Sequence, residues 1–158
     1  MTPNIDKLLE NIRYSDPVAA MHLLCRSNPG KVVFSTSFGP EDQVITHMIC
    51  THKVPVSLFT LDTGRLFQET YDVIDNTRSR YQTDIKVFFP DTRAVENLIT
   101  EKGANSFYLS VENRKECCRI RKIEPLKRAL QGMSVWITGL RADQSGHRAS
   151  IQPIEWDE

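Results

Sequence analysis

"KVVFSTSFGPEDQVITHMIC", residues 31–50, is the stretch whose reading decides the fold. It opens with a short β-branched apolar run, KVVFS, passes through the small-residue loop TSFGP, and enters EDQVITHMICTH, a helical segment. Pro40 stands where a first helical residue would, and its missing N–H would lack an intrahelical partner there in any case. Glu41 and Asp42 fill the first turn, where the helix dipole favours negative charge. The order is strand, loop, helix.

Outward from this unit the alternation repeats. VPVSLFTLD (54–62) reads as a second buried strand, and RLFQETYDVIDNTRSRYQ (65–82) as the long helix after it. IKVFFP (85–90) is a third strand, and DTRAVENLITEKG (91–103) a third helix, with Asp91 as its cap and Gly103 as its stop. Residues 106–122 read as irregular or short helix, Pro125 as the opening of another helix, and SVWITGL (134–140) as a fourth strand. Upstream lie two helices, over 3–13 and within 15–30. The second is capped by Asp16 or Ser15, has Pro17 in its first turn, and carries the stripe Val18, Met21, Leu24 and Cys25 at 3.6-residue spacing. Strands alternating with helices predict an α/β fold: a parallel sheet covered on both faces, in a single domain over 1–158.

Composition narrows the function classes. Of 158 residues, 40% are hydrophobic and 25% charged, and 20 Lys and Arg balance 20 Asp and Glu. A net charge of zero gives no reason to expect an extended nucleic-acid surface. No run approaches the ~20 apolar residues of a membrane span, and the polar start MTPNIDKLLENIRYSDP has no signal-peptide core. The reading is cytoplasmic, where thiols stay reduced.

Parallel sheets bind ligands beyond the carboxyl ends of their strands. The segments to inspect are therefore STSFGPED, LDTGR, PDTR and TGLRADQS. In the first, Ser35, Thr36, Ser37 and Gly39 precede a helix N-terminus, a combination suited to phosphate or sulfate; a well-capped turn would have the same composition. A Walker loop is absent. In LDTGR, Asp62 and Arg65 suit either a site or a turn with a helix-starting charge. Gly139 permits close backbone approach, and Arg141 and Arg148 can each clamp an oxyanion through two N–H groups.

ENRKECCRIRK, 112–122, pairs Cys117 with Cys118 among five basic residues, in a chain with only two other cysteines. Neighbouring thiols suit neither an unstrained disulfide nor the usual zinc spacing, but they can bind different irons of one cluster. Two small side chains beside a solvated basic face would also fit. A further metal option pairs His22 and Cys25 with His47 and Cys50, two His-x-x-Cys sets at helical spacing. Cys25 falls in an apolar stripe, however, and Cys50 falls opposite the stripe Val44, Ile45, Met48 and Ile49.

Taken together, FSTSFGPEDQV, LDTGRLFQETY, SVENRKECCRIRKIEPLKRAL and WITGLRADQS resemble the assimilatory sulfonucleotide reductases, which act on adenylyl sulfate or its 3′-phosphorylated form. The resemblance covers about residue 30 to the end. It implies a Rossmann-like adenine-nucleotide α-hydrolase fold. It implies that Ser35, Ser37 and Gly39 of the first loop and the strand end at Leu61 and Asp62 hold the nucleotide, and that Arg141 and Arg148 help to bind the phosphosulfate; Arg65 joins this substrate set, although a helix-starting charge explains it equally well. It implies that Cys117 and Cys118 supply two ligands of a four-iron four-sulfur cluster, with Lys122 between cluster and sulfate. The pair points to adenylyl sulfate, with thioredoxin or a similar dithiol as electron donor. A homo-oligomer is compatible with the sequence.

The chain departs from the family pattern after Glu158. The family's nucleophilic cysteine and its second cluster pair lie further on, whereas no cysteine follows Cys118 here. The expectation is the N-terminal portion of a reductase of roughly 230 to 250 residues. Two alternatives share the fold class. One is an ATP pyrophosphatase or sulfate adenylyltransferase small-subunit relative, whose paired loop glycines are missing here. The other is a nucleotide-binding or cluster module without catalysis.

Overall fold

The computed structural model describes residue 12, residues 16–141 and residues 152, 154 and 155. The helix expected over 3–13 lies outside the described residues apart from Ile12, and so does Arg148.

Four strands, β1 (Val32–Ser35), β2 (Ser57–Leu61), β3 (Ile85–Phe88) and β4 (Val135–Ile137), pair in the order β3-β2-β1-β4. Every pairing is parallel, with Phe34 opposite Leu58 and Ile137, and Phe59 opposite Lys86. The helices are α1 (Pro17–Ser27), α2 (Pro40–Thr51), α3 (Gln68–Tyr81), α4 (Thr92–Lys102), α5 (Val111–Cys118) and α6 (Glu124–Leu130).

Side chains alternate across the sheet, and two cores result. Val32, Phe34, Leu58 and Ile85 face α1, α2 and α3, burying Met21, Cys25, Ile49 and Ile74. Val33 and Phe59 face the other way and bury Ala129 of α6, with Leu126 and Leu130 packed against them. The expectation of a parallel sheet with helices on both faces holds.

The caps expected from sequence form. Asp16 accepts from the amides of Val18 and Ala19 at 2.9 and 3.3 Å, and Asp91 from that of Ala94 at 2.9 Å. Gly103 follows α4 at φ 85°.

Two local expectations change. Val44 is exposed, whereas Asp42, Thr46 and Ile49 are the buried residues of α2. The stripe is turned because Thr46 satisfies its own hydroxyl on the Asp42 carbonyl at 2.7 Å and can therefore be buried. Cys50 is half-buried as a result, and burial pushes its thiol upward against a smaller lowering by a hydrogen bond from Thr83. The second change is at Pro125, which does not open a separate helix. The chain is helical from Val111 to Leu130, through a wide turn at Arg119–Ile123. There the amide of Glu124 bonds to the carbonyl of Arg119, five residues back. Proline has no N–H and its ring crowds the preceding turn, so one wide turn lets the helix pass it.

Asp16→Ala and Asp91→Ala should each cost about 1 kcal/mol, the usual loss for an N-cap. The caps serve separate helices, so the double variant should lose the sum, read by urea denaturation.

Candidate functional site

β1, β2 and β3 lie in sequence order to one side, whereas β4 returns to the other side of β1. The order therefore reverses between β1 and β4, and such a switch point opens a crevice at the carboxyl ends of the two strands. Ser35 ends β1, and Thr138, Gly139, Leu140 and Arg141 follow β4.

The β1 loop is organised from within. The Asp42 carboxylate is 7% exposed and accepts from the Ser37 amide at 2.6 Å and the Ser37 hydroxyl at 2.7 Å. Phe38 stands at φ 64°, a costly backbone for a bulky residue. Its amide donates to Thr36 Oγ1 at 3.0 Å, and its ring is buried in the first core, which holds it there. Gly139 passes directly over Asp42, and a Cβ at this position would overlap Asp42 Oδ1. Thus Ser35, Ser37, Gly39 and Gly139 sit at the crevice, but both Ser37 donors are committed to an internal carboxylate. Arg141 lies at its rim, more than half exposed, with Nε 3.1 Å from Glu41.

The β2 end is built differently. Asp62 is 2% exposed. It accepts from the Gly64 amide at 2.7 Å and from the Tyr71 hydroxyl at 2.8 Å, so its carboxylate shapes the 62–65 turn. Leu61 packs beside the second core. Arg65 turns away from the crevice. Its guanidinium donates to the Ala104 carbonyl and Asn105 Oδ1 at 2.8 and 3.1 Å and lies 4.8 Å from the Phe107 ring centroid, fastening the segment after α4.

Arg121 is the residue that sequence reading passed over, as one of five basic residues around the cysteines. It is 6% exposed. Its Nη1 donates to the Thr63 carbonyl at 2.5 Å and lies where a Cβ on Gly64 would be only 3.2 Å away. Its buried Nε has no partner among the described residues. Buried guanidinium groups are ordinarily paired, so an orphaned one marks a place for an anion. The only advance signal was the register: Arg121 follows Cys117 by four residues, one helical turn.

Cys117 and Cys118 are half-buried free thiols at the end of α5, and Lys122 is exposed in the wide turn beyond. Among the described residues no group of three or more His, Cys, Asp or Glu is arranged to hold a metal ion. His22, Cys25, His47 and Cys50 do not assemble into one either. Cys25 sits in the core against the Pro55 carbonyl, and His47 Nδ1 meets the Tyr81 hydroxyl at 3.0 Å. The tandem pair fits a cluster as half of a four-thiolate set, and the orphaned Arg121 Nε one turn away suits its negative charge.

The bond to Asp62 raises the Tyr71 hydroxyl above its ordinary value near 10, with desolvation and the carboxylate charge adding to the effect. A group raised on folding stabilises the fold fully below its unfolded value and loses that stabilisation as pH rises through the folded one. Unfolding free energy should therefore fall as pH rises above about 10, and Tyr71→Phe should flatten that part of the slope in denaturant titrations.

Comparison with known proteins agrees with this geometry. A family model described as the phosphoadenosine phosphosulfate reductase domain matches residues 31–158. Adenosine 5′-phosphosulfate reductase of Agrobacterium fabrum is 49% identical over 128 residues, covering 81% of this chain and 49% of the relative. The protein of that name in Allochromatium vinosum is 46% identical over 142 residues, covering 88% and 55%. This chain thus spans about half the length of these curated relatives. The crystal structure of phosphoadenylyl-sulfate reductase from Candida auris, a phosphate complex, superposes with a TM-score of 0.73 at 25% identity, covering 89% of this chain and 68% of that one. Among the described residues no helix is long and apolar enough to cross a membrane. On the family match across most of its length, the chain belongs to the phosphoadenosine phosphosulfate reductase family.

Proposed function

We propose that this chain carries the nucleotide-binding portion of an adenylyl-sulfate reductase of sulfate assimilation, a cytoplasmic enzyme that reduces adenylyl sulfate to sulfite and AMP. One observation carries the choice of substrate. The tandem Cys117–Cys118 closes a helix whose next turn buries Arg121 against the β2 end with one N–H unsatisfied among the described residues. A basic, half-buried thiol pair held near the β2 end has no purpose in simple nucleotide binding, and relatives 46% and 49% identical bear the name adenosine 5′-phosphosulfate reductase.

In this reading the nucleotide lies over the carboxyl ends of β1, β4 and β2, contacting Ser35, Gly39, Gly139 and Leu61. Ser37 reaches it only if Asp42 releases a donor. Asp62 acts by shaping the turn, and Arg65 by fixing the neighbouring segment. Arg141, with Arg148, receives the phosphosulfate and exchanges Glu41 for it. Lys122 extends from the wide turn as a point charge for the sulfate end.

The reaction is nucleophilic displacement at sulfur. A cysteine thiolate attacks the sulfate sulfur, the sulfur–oxygen bond to phosphate breaks, and AMP leaves with its charge stabilised by the arginines. The resulting S-sulfocysteine is cleaved by the dithiol of thioredoxin or a similar donor. That donor supplies two electrons, becomes a disulfide and releases sulfite. The sequence has no cysteine after Cys118, so the attacking thiol of this scheme is not among its 158 residues, and the chain alone should not turn over.

Cys117 and Cys118 would hold one side of a four-iron four-sulfur cluster, completed by two thiolates from outside this set. When bound, such a cluster adds a compact, redox-capable anionic group beside Arg121 and Lys122.

Adenylyl sulfate should bind the pure chain in calorimetric titration. Arg141→Ala should weaken it about ten-fold, the low end for loss of a charged hydrogen bond because the site is half exposed, and more than Arg148→Ala does, because Arg141 is nearer in sequence to the strand end. Equal or reversed losses would remove that ordering. Iron and acid-labile sulfide, measured after anaerobic reconstitution with the two completing thiolates supplied, should drop to background in Cys117→Ser and Cys118→Ser. Iron content indifferent to both substitutions would remove the cluster assignment.

A further inference from the structure

Trp136 lies mid-strand on β4, opposite Val33, with its indole on the α6 side of the sheet. It is 38% exposed, a large apolar surface to leave open. Its Nε1–H reaches along β1 and donates to Ser35 Oγ at 2.8 Å. That bond spans the two strands between which the sheet order reverses.

The donor and acceptor inventory then fixes the sense of this bond. An indole N–H can only donate, so the serine oxygen must accept. The hydroxyl proton of Ser35 is left over, and among the described residues nothing accepts it. A free serine rotor can donate or accept as a ligand requires. This one has one of its two lone pairs occupied by the indole, and its proton remains to donate at the carboxyl end of β1. Accepting a hydrogen bond also polarises the O–H and strengthens its donation.

We infer that Trp136 is a positioning residue for nucleotide recognition, which orients the Ser35 hydroxyl and strengthens its donation, and so favours an acceptor atom of the nucleotide at that point. Trp136 acts through Ser35 and need not touch the ligand. The inference rests on the nucleotide reading proposed above.

Indole ¹H–¹⁵N spectra of the full chain separate the two. The sequence has two tryptophans, Trp136 and Trp156, and Trp136→Phe assigns their cross-peaks. Ser35→Ala without ligand should move the Trp136 indole proton upfield. AMP should shift the same peak in the wild type. In titrations, Trp136→Phe should weaken AMP about three- to ten-fold, the range for one net hydrogen bond. Ser35→Ala should do likewise, Ser35→Thr should restore most of the loss, and Ser35→Ala/Trp136→Phe should bind no worse than Ser35→Ala alone. An indole peak unmoved by Ser35→Ala overturns the inference whether or not Trp136→Phe folds. So do a Trp136→Phe affinity equal to wild type and losses that multiply in the double variant, and in those cases the nucleotide reading survives. If AMP perturbs no wild-type resonance, the nucleotide reading fails and this inference falls with it.

Discussion

The buried carboxylate of Asp42 is the contact on which the crevice depends. It stands at the third position of α2, where the helix dipole favours it, and takes both donors of Ser37. Hydrogen bonds to a charged group contribute about 1.5–3 kcal/mol each, enough to offset the strain of Phe38 at φ 64°. Gly139 is the complementary half of the arrangement, since only a residue without Cβ lets the chain leaving β4 pass Asp42 so closely. Removing the carboxylate would free the loop, and adding a methyl group would push β4's exit away from β1. The space between the two strand ends is therefore fixed by one charge and one missing side chain.

A second arrangement links the other end of the crevice to the cysteines. The wide turn at Arg119–Ile123 lets the helix run on past Pro125. Within that turn Arg121 points into the protein while Lys122 points out. Arg121 grips the Thr63 carbonyl over Gly64, and Asp62 fixes the same turn from below through the Gly64 amide. The end of α5 is thereby held against the end of β2. Burying a guanidinium with an unpaired N–H costs stability, and such costs persist where function repays them.

Much of this was legible in residues 31–50 and their repeats. Pro40, Asp16, Asp91 and Gly103 act locally, through φ angles and orphaned amides within a few residues, so their roles follow from sequence. The positions of Ser35, Ser37, Gly39, Leu61 and Asp62 at or just past strand ends were legible for the same reason. The inward face of α2 was misread at Val44 because hydropathy cannot see that Thr46 would satisfy its own hydroxyl on the helix backbone. Arg65 sits in a motif but is drawn aside by a carbonyl 39 residues away.

The sequence by itself determined the alternation of strands and helices, the segments that end at the crevice, and the tandem thiols in a basic stretch. These depend on periodicity, capping and composition, which are local properties of the chain. Tertiary structure alone decided which polar groups face each other: Asp42 turned onto Ser37, Trp136 onto Ser35, and Arg121 onto the Thr63 carbonyl. The strand order that brings β4 beside β1 joins residues 101 positions apart, and no local preference encodes a contact at that separation. It arises only when both faces of the sheet are buried at once.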